Sequence, residues 1–232
     1  QSSSSPCASH PFRYLRDETD VMRMVNCLIA STTPPRSRES DPFWIKSETA
    51  LLQALVFYLF YEAPEYEQNF SQVCRMLEFA EARENDEDYE SALDMLFHAL
   101  EREQGPEHIA VKQYKVYAQA KGKTASSILV SLAVRLAPFN IPQIQRITSE
   151  DEMDLSTLGD NKAALFAVIP DNHTTFNFLV SLLYQQAFIC LYHSADQIHK
   201  GRLPRHVRFI LDEFASIRLE GYPRELATMR SR

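Results

Sequence analysis

The stretch from Pro42 to Glu62 limits the possible folds of this chain more than any other. Apolar residues fall nearly all round its helical projection: Phe43, Trp44, Leu51, Leu52, Leu55, Val56, Tyr58 and Leu59. Ser40-Asp41-Pro42 supplies a start signal, an N-cap followed by proline in the first turn. Ala63-Pro64 supplies the stop. A helix with no polar face must be surrounded by other elements. The expectation is a bundle with this helix at its centre. Its longest apolar run, Ala54 to Tyr61, is too short to cross a bilayer.

The neighbours that could surround it are present. Asp17 to Ala30 carries Val21, Met24, Val25, Leu28 and Ile29 at helical spacing. Further helices are expected at about 68–83, 87–102 and 108–120, the last two separated by Gly105-Pro106, and at 124–136 before Pro138. The chain has only 5 glycines in 232 residues, which disfavours a loop-rich β protein. Short connections imply antiparallel neighbours.

After Pro142 the pattern changes. Lys162 to Ile169 is a continuous apolar run closed by Pro170-Asp171-Asn172, which reads as a buried strand ending in a turn. His173 to Ala195 reads as a long helix, and His206 to Leu211 as a second strand. Strand, helix, strand is one βαβ unit of a parallel sheet. Ligands of such sheets sit at the carboxyl ends of the strands. Asp171, Asp212 and Glu213 would lie there. The second run, Val207-Arg208-Phe209-Ile210-Leu211-Asp212-Glu213-Phe214, has the form of a Walker B strand. In that role Asp212 holds Mg²⁺, largely through water, and Glu213 orients the attacking water. No Gly-x-x-x-x-Gly-Lys-Ser/Thr cradle occurs in the chain. Gly122-Lys123-Thr124 resembles its end, but a helical stretch precedes it, so it reads as a helix-to-helix turn.

Charge is unevenly spread around a net −7. Acidic residues dominate from Glu62 to Glu107, most densely around Glu84, Asp86, Glu87 and Asp88. An acidic face opposes direct phosphate binding there and suits a basic protein partner. The most basic stretch runs from Lys200 to Arg232. Cys7, Cys27, Cys74 and Cys190 fall in no zinc-like spacing and read as thiols of a reducing compartment. His193, Asp196 and His199 make a weak metal signal at a helix end. One tetratricopeptide-like stretch, 88–114, has no second copy and so makes no solenoid.

Four stretches resemble the TraG-like coupling ATPases of conjugative type IV secretion. They are Pro11-Phe12-Arg13-Tyr14-Leu15; Ser40-Asp41-Pro42-Phe43-Trp44 with Glu48-Thr49-Ala50-Leu51-Leu52; Ala167-Val168-Ile169-Pro170-Asp171-Asn172 with Thr175-Phe176; and Leu211-Asp212-Glu213-Phe214-Ala215 with Ala227-Thr228-Met229-Arg230-Ser231-Arg232. The resemblance implies a membrane-anchored, hexameric DNA pump at the cytoplasmic face of the membrane. In such a pump an all-α domain is inserted into a RecA-like motor and receives a relaxase or accessory protein with its DNA.

The implied fold is mainly α: an all-α helical bundle followed by a partial RecA-like α/β segment with two short parallel strands. The implied divisions are a flexible lead-in at 1–10, an all-α substrate receptor at 11–147 and a partial motor segment at 154–232. By the same resemblance Asp212 is the Mg²⁺-associated residue, Glu213 is catalytic, Asp171 approaches the nucleotide, and Arg230 acts on a neighbouring subunit's nucleotide. ATP and Mg²⁺ are expected in the whole motor and neither in this portion. Anchor, P-loop and first motor strands lie outside the 232 residues. The expectation is therefore a soluble, monomeric portion without membrane contact, inactive alone as an ATPase. The alternative is a helical interaction scaffold without nucleotide chemistry.

Overall fold

The computed structural model describes residues 7–34, 42–83, 86, 89–169, 174–212, 217 and 229. Among the described residues eight α-helices carry the fold: α1 (Glu18–Thr32), α2 (Pro42–Glu62), α3 (Phe70–Glu78), α4 (Ala92–Gln104), α5 (Ile109–Tyr117), α6 (Gly122–Leu136), α7 (Pro142–Ser149) and α8 (Asn177–His193).

Helix α2 is central, as its sequence requires. Every residue from Ala50 to Phe57 is buried, and the helix packs against α5, α1, α6 and α3. Its first turn behaves differently: Phe43 and Trp44 are exposed and rest edge-to-face on one another. Helix α1 presents Val21, Met24, Val25, Leu28 and Ile29 to the core. Its start is fixed by the Asp17 carboxylate, which accepts from the Asp20 amide at 2.9 Å. Asn69 caps α3 in the same way. Ser91 and Asp94 form a reciprocal capping box on α4. These caps set where the helices begin; α3 stops at Glu78 and α4 begins only at Ala92, and none of the described residues between them is helical.

Aromatic rings lock the layers together. Phe70 of α3 stacks on Phe139 at 4.3 Å, and Phe139 meets Phe178 of α8 edge-to-face at 5.4 Å. Phe97 of α4 stacks on Tyr114 of α5 at 4.0 Å. Phe178 and Leu182 thereby place the start of α8 in the same apolar core as α1–α7. The chain entering this block is tied to the chain leaving it. Ser9 N donates to Ile147 O at 2.8 Å, Glu152 N to Ala8 O at 2.9 Å, and Ala8 N to the Glu152 carboxylate at 3.0 Å.

The expected βαβ unit is corrected by the structure. The described residues contain no strand and no sheet; their one β-type contact is an isolated bridge between Arg83 and Asp86. The run 162–169 is extended but exposed, with Phe166 at 86% and Val168 at 93% of their full accessibility. The run 206–211 alternates: Val207, Phe209 and Leu211 are half-buried, whereas Ile210 is 83% exposed. A parallel strand is stable only when neighbouring strands take its amides and carbonyls and both faces are covered. Here each run has the side chains of a strand without the ladder. The helix expected between them is present as α8.

Candidate functional site

Two regions carry the residues singled out from sequence, and the structure treats them unequally. Glu84, Glu87 and Asp88 lie outside the described residues, but described residues on either side of them are in contact. Arg83 Nε donates to Glu81 at 3.0 Å, and Tyr89 OH donates to the other oxygen of the same carboxylate at 2.8 Å. The Arg83 guanidinium sits 3.7 Å from the Tyr89 ring centroid. Hydrogen bonds from Arg83 first, then Tyr89, hold the Glu81 carboxyl below its ordinary range and keep it ionised. Asp86 is exposed between these braces.

Below the turn Tyr114 OH donates to Asp94 at 2.7 Å, and burial pushes the phenol well above its usual range. The acidic surface is narrower than the sequence count implies. Lys115 of α5 pairs with Glu101 and Lys112 with Glu107, each at 2.5 Å, and His108 meets Glu62 at 3.2 Å.

In the second region Asp212 closes the 206–211 run in a turn and is exposed. Glu213, Asp171 and Arg230 lie outside the described residues. Asp212 offers the hard oxygen that Mg²⁺ takes, but among the described residues no group of three His, Cys, Asp or Glu side chains converges. His199 is engaged elsewhere, 2.7 Å from Asp160. With Arg205 Nε donating to Asp160 O at 3.0 Å, this contact fastens the 206–211 run to the turn at 158–161. Gly159 and Leu203 are in close approach there: a Cβ at Gly159 would stand 2.6 Å from the end of the Leu203 side chain, which would have to shift. Gly122-Lys123-Thr124 opens α6 four residues after α5 ends, with Gly122 at φ +52°. A helix-turn-helix connection, not a strand and glycine-rich turn, therefore precedes it.

Sequence reasoning missed two polar clusters that hold the block together. Glu48, in the otherwise apolar α2, pairs with Arg135 of α6 at 2.5 Å, both nearly inaccessible. Arg135 also donates to Thr32 at 2.6 Å, Thr33 at 3.1 Å and Ile29 O at 3.1 Å, and Ser131 donates to Glu48. A carboxylate in a helix expected at the centre of the bundle was the available signal. Tyr14 OH donates to Asp151 at 2.5 Å and accepts from the Leu155 amide at 3.1 Å. The buried thiols are chemically quiet: burial raises Cys74 to about 11 and Cys190 to about 12.

No helix among the described residues is by itself long and apolar enough to cross a membrane. The family model described as type IV secretory system conjugative DNA transfer matches residues 5–231. None of the curated proteins matches the chain.

Proposed function

The chain belongs to the type IV secretory system conjugative DNA transfer family, and on that premise we propose that its helical block recruits the relaxase or an accessory protein with its DNA. The observation that carries this reading is the acidic stretch between α3 and α4, flanked by the contacts among Glu81, Arg83 and Tyr89 on a block whose core closes around α2. An acidic stretch anchored on a packed core suits docking of a basic protein, through charge that steers encounter. The remainder of the reading concerns the whole protein. Asp212 and Glu213 serve a motor that takes ATP and Mg²⁺ at the cytoplasmic face of the membrane. Asp171 lies at the nucleotide edge, Arg230 acts across a subunit boundary, and the whole protein forms a hexamer. The portion described here is monomeric and does not hydrolyse ATP.

The test uses the 232-residue chain and the relaxase of the same transfer system. Affinity is measured by calorimetry at several salt concentrations, with and without neutralisation of Glu84, Asp86, Glu87 and Asp88. The expected result is at least a tenfold loss and a flatter salt dependence. Unchanged affinity removes the turn from the interface.

One observation favours a second reading, a helical scaffold without nucleotide chemistry: Asp212 stands exposed at the end of a run that has no ladder. ATP turnover by the protein extended upstream to include a P-loop segment separates the two. Loss of turnover on Glu213→Gln eliminates the scaffold. Mg-ATP binding by the present chain that is lost on Lys123→Ala would instead move nucleotide chemistry to the start of α6.

A further inference from the structure

Helix α3, the turn after α6 and the start of α7 enclose a polar cleft of about 420 Å³, within the usual range for ligand sites. Gln72, Arg75 and Glu78 reach it from α3, Asn140 from the turn and Gln145 from α7. Among the described residues none of these five side chains forms a hydrogen bond or an ion pair with the rest of the chain. Arg75 and Glu78 stand three positions apart on one helix, a spacing at which opposite charges can meet, yet they do not pair.

The floor beneath these groups is fixed. Phe70 and Phe139, which precede Gln72 and Asn140 in the chain, stack at 4.3 Å and are buried. The Gln72 amide of the backbone donates to the Asn69 side chain at 3.0 Å, and Cys74 Sγ lies 3.7 Å from Leu136 O. The backbones that carry the cleft are therefore held in place before any ligand arrives, which lowers the cost of binding.

The lining narrows the ligand. One cation and one carboxylate leave the cleft without net charge, so it does not concentrate phosphates. No aromatic ring lines it to take the face of a base or a sugar. It has no apolar wall for the stripe of an amphipathic helix. What it offers is three side-chain amides, each with two donors and an acceptor. A main-chain peptide unit carries the matching N–H and C=O. Helices and sheets spend those groups internally, whereas an extended segment leaves them free.

We propose that the cleft between α3 and α7 binds an extended polar segment of a partner protein through its main chain. Gln72, Asn140 and Gln145 take the peptide units, and Arg75 and Glu78 select the side chains beside them. The proposal rests on protein recruitment by the helical block and adds the conformation of the captured segment. It makes no use of the acidic stretch between α3 and α4.

The probe is the relaxase of the same transfer system, divided into short overlapping synthetic peptides. Each is labelled and titrated with the 232-residue chain by fluorescence anisotropy, at low and high salt. At least one polar peptide should bind, with little dependence on salt. Gln72→Ala with Gln145→Ala should weaken it about tenfold or more, whereas Gln143→Ala, on α7 outside the cleft, should not. Circular dichroism checks that each variant keeps its melting transition. Methylating alternate peptide nitrogens of the bound peptide leaves its side chains and the protein unaltered, and should weaken binding to a similar degree.

Absence of peptide binding overturns the proposal; the intact relaxase, titrated in parallel, then shows whether recruitment by the acidic stretch stands without it. Full affinity of the methylated peptide would assign recognition to side chains and overturn main-chain capture. A loss at Gln143→Ala equal to that of the paired change would take binding away from the cleft. Displacement of the peptide by maltotetraose would reassign the cleft to a carbohydrate.

Discussion

The core of α2 and the run 162–169 are both strings of large apolar residues, yet one is the most buried part of the molecule and the other among the most exposed. Their side chains do not explain the contrast; their backbones do. A helix closes its hydrogen bonds within itself, so α2 needs only apolar neighbours, and α1, α3, α5 and α6 provide them. An extended run needs a second backbone at about 4.8 Å before its side chains can be packed. Apolar content alone therefore fixes burial for helices and leaves it conditional for strands.

Four single substitutions and one double change probe that comparison. The largest effect is expected at the buried pair inside the helical block. Arg135→Met leaves the Glu48 carboxylate buried without its cation and should cost about 3–5 kcal/mol in urea unfolding. The double change Glu48→Leu with Arg135→Met should recover most of it. If the single change costs under about 1 kcal/mol, water reaches Glu48 and the block is looser than described. Next comes Leu55→Ala on α2, where deletion from a closed core should cost about 2–5 kcal/mol. Tyr14→Phe removes the bonds to Asp151 and to the Leu155 amide and should cost about 1–3 kcal/mol by thermal melting. Smallest is Phe166→Ser in the exposed run, expected within about 0.5 kcal/mol of the parent. A loss at Phe166 comparable to that at Leu55 would show this run packed in solution and would break the contrast.

The same backbone argument explains what the sequence revealed and what it did not. Helices α1 and α2 were legible because a 3.6-residue period records which side faces inward. Capping residues such as Asp17, Asn69 and Ser91 mark where helices begin. Helix α7 was not legible: its eight residues include two glutamines, an arginine, a threonine and a serine, and only Ile144 and Thr148 are buried. The two runs around α8 were read as strands because their residues suit strands, but ladder partners are not encoded in a strand's own composition. Among the polar groups the pair of Glu48 and Arg135 went unread, because its partners stand 87 positions apart and meet only in three dimensions. Of the nucleotide-edge residues expected from sequence, only Asp212 lies among the described residues, and it stands in a turn rather than at the end of a strand. The acidic stretch was foreseen as a patch, but not its bracing by Tyr89 nor its trimming by Lys112 and Lys115.

The bonds that join Ala8 and Ser9 to Ile147 and Glu152 make residues 10–146 a loop closed at its neck. Any host polypeptide meeting that neck sees two chain ends side by side, as it would at an ordinary tight turn. Helix α8, which follows the neck, packs on α1 and shares the core, so the block is a portable cassette only when α8 travels with it.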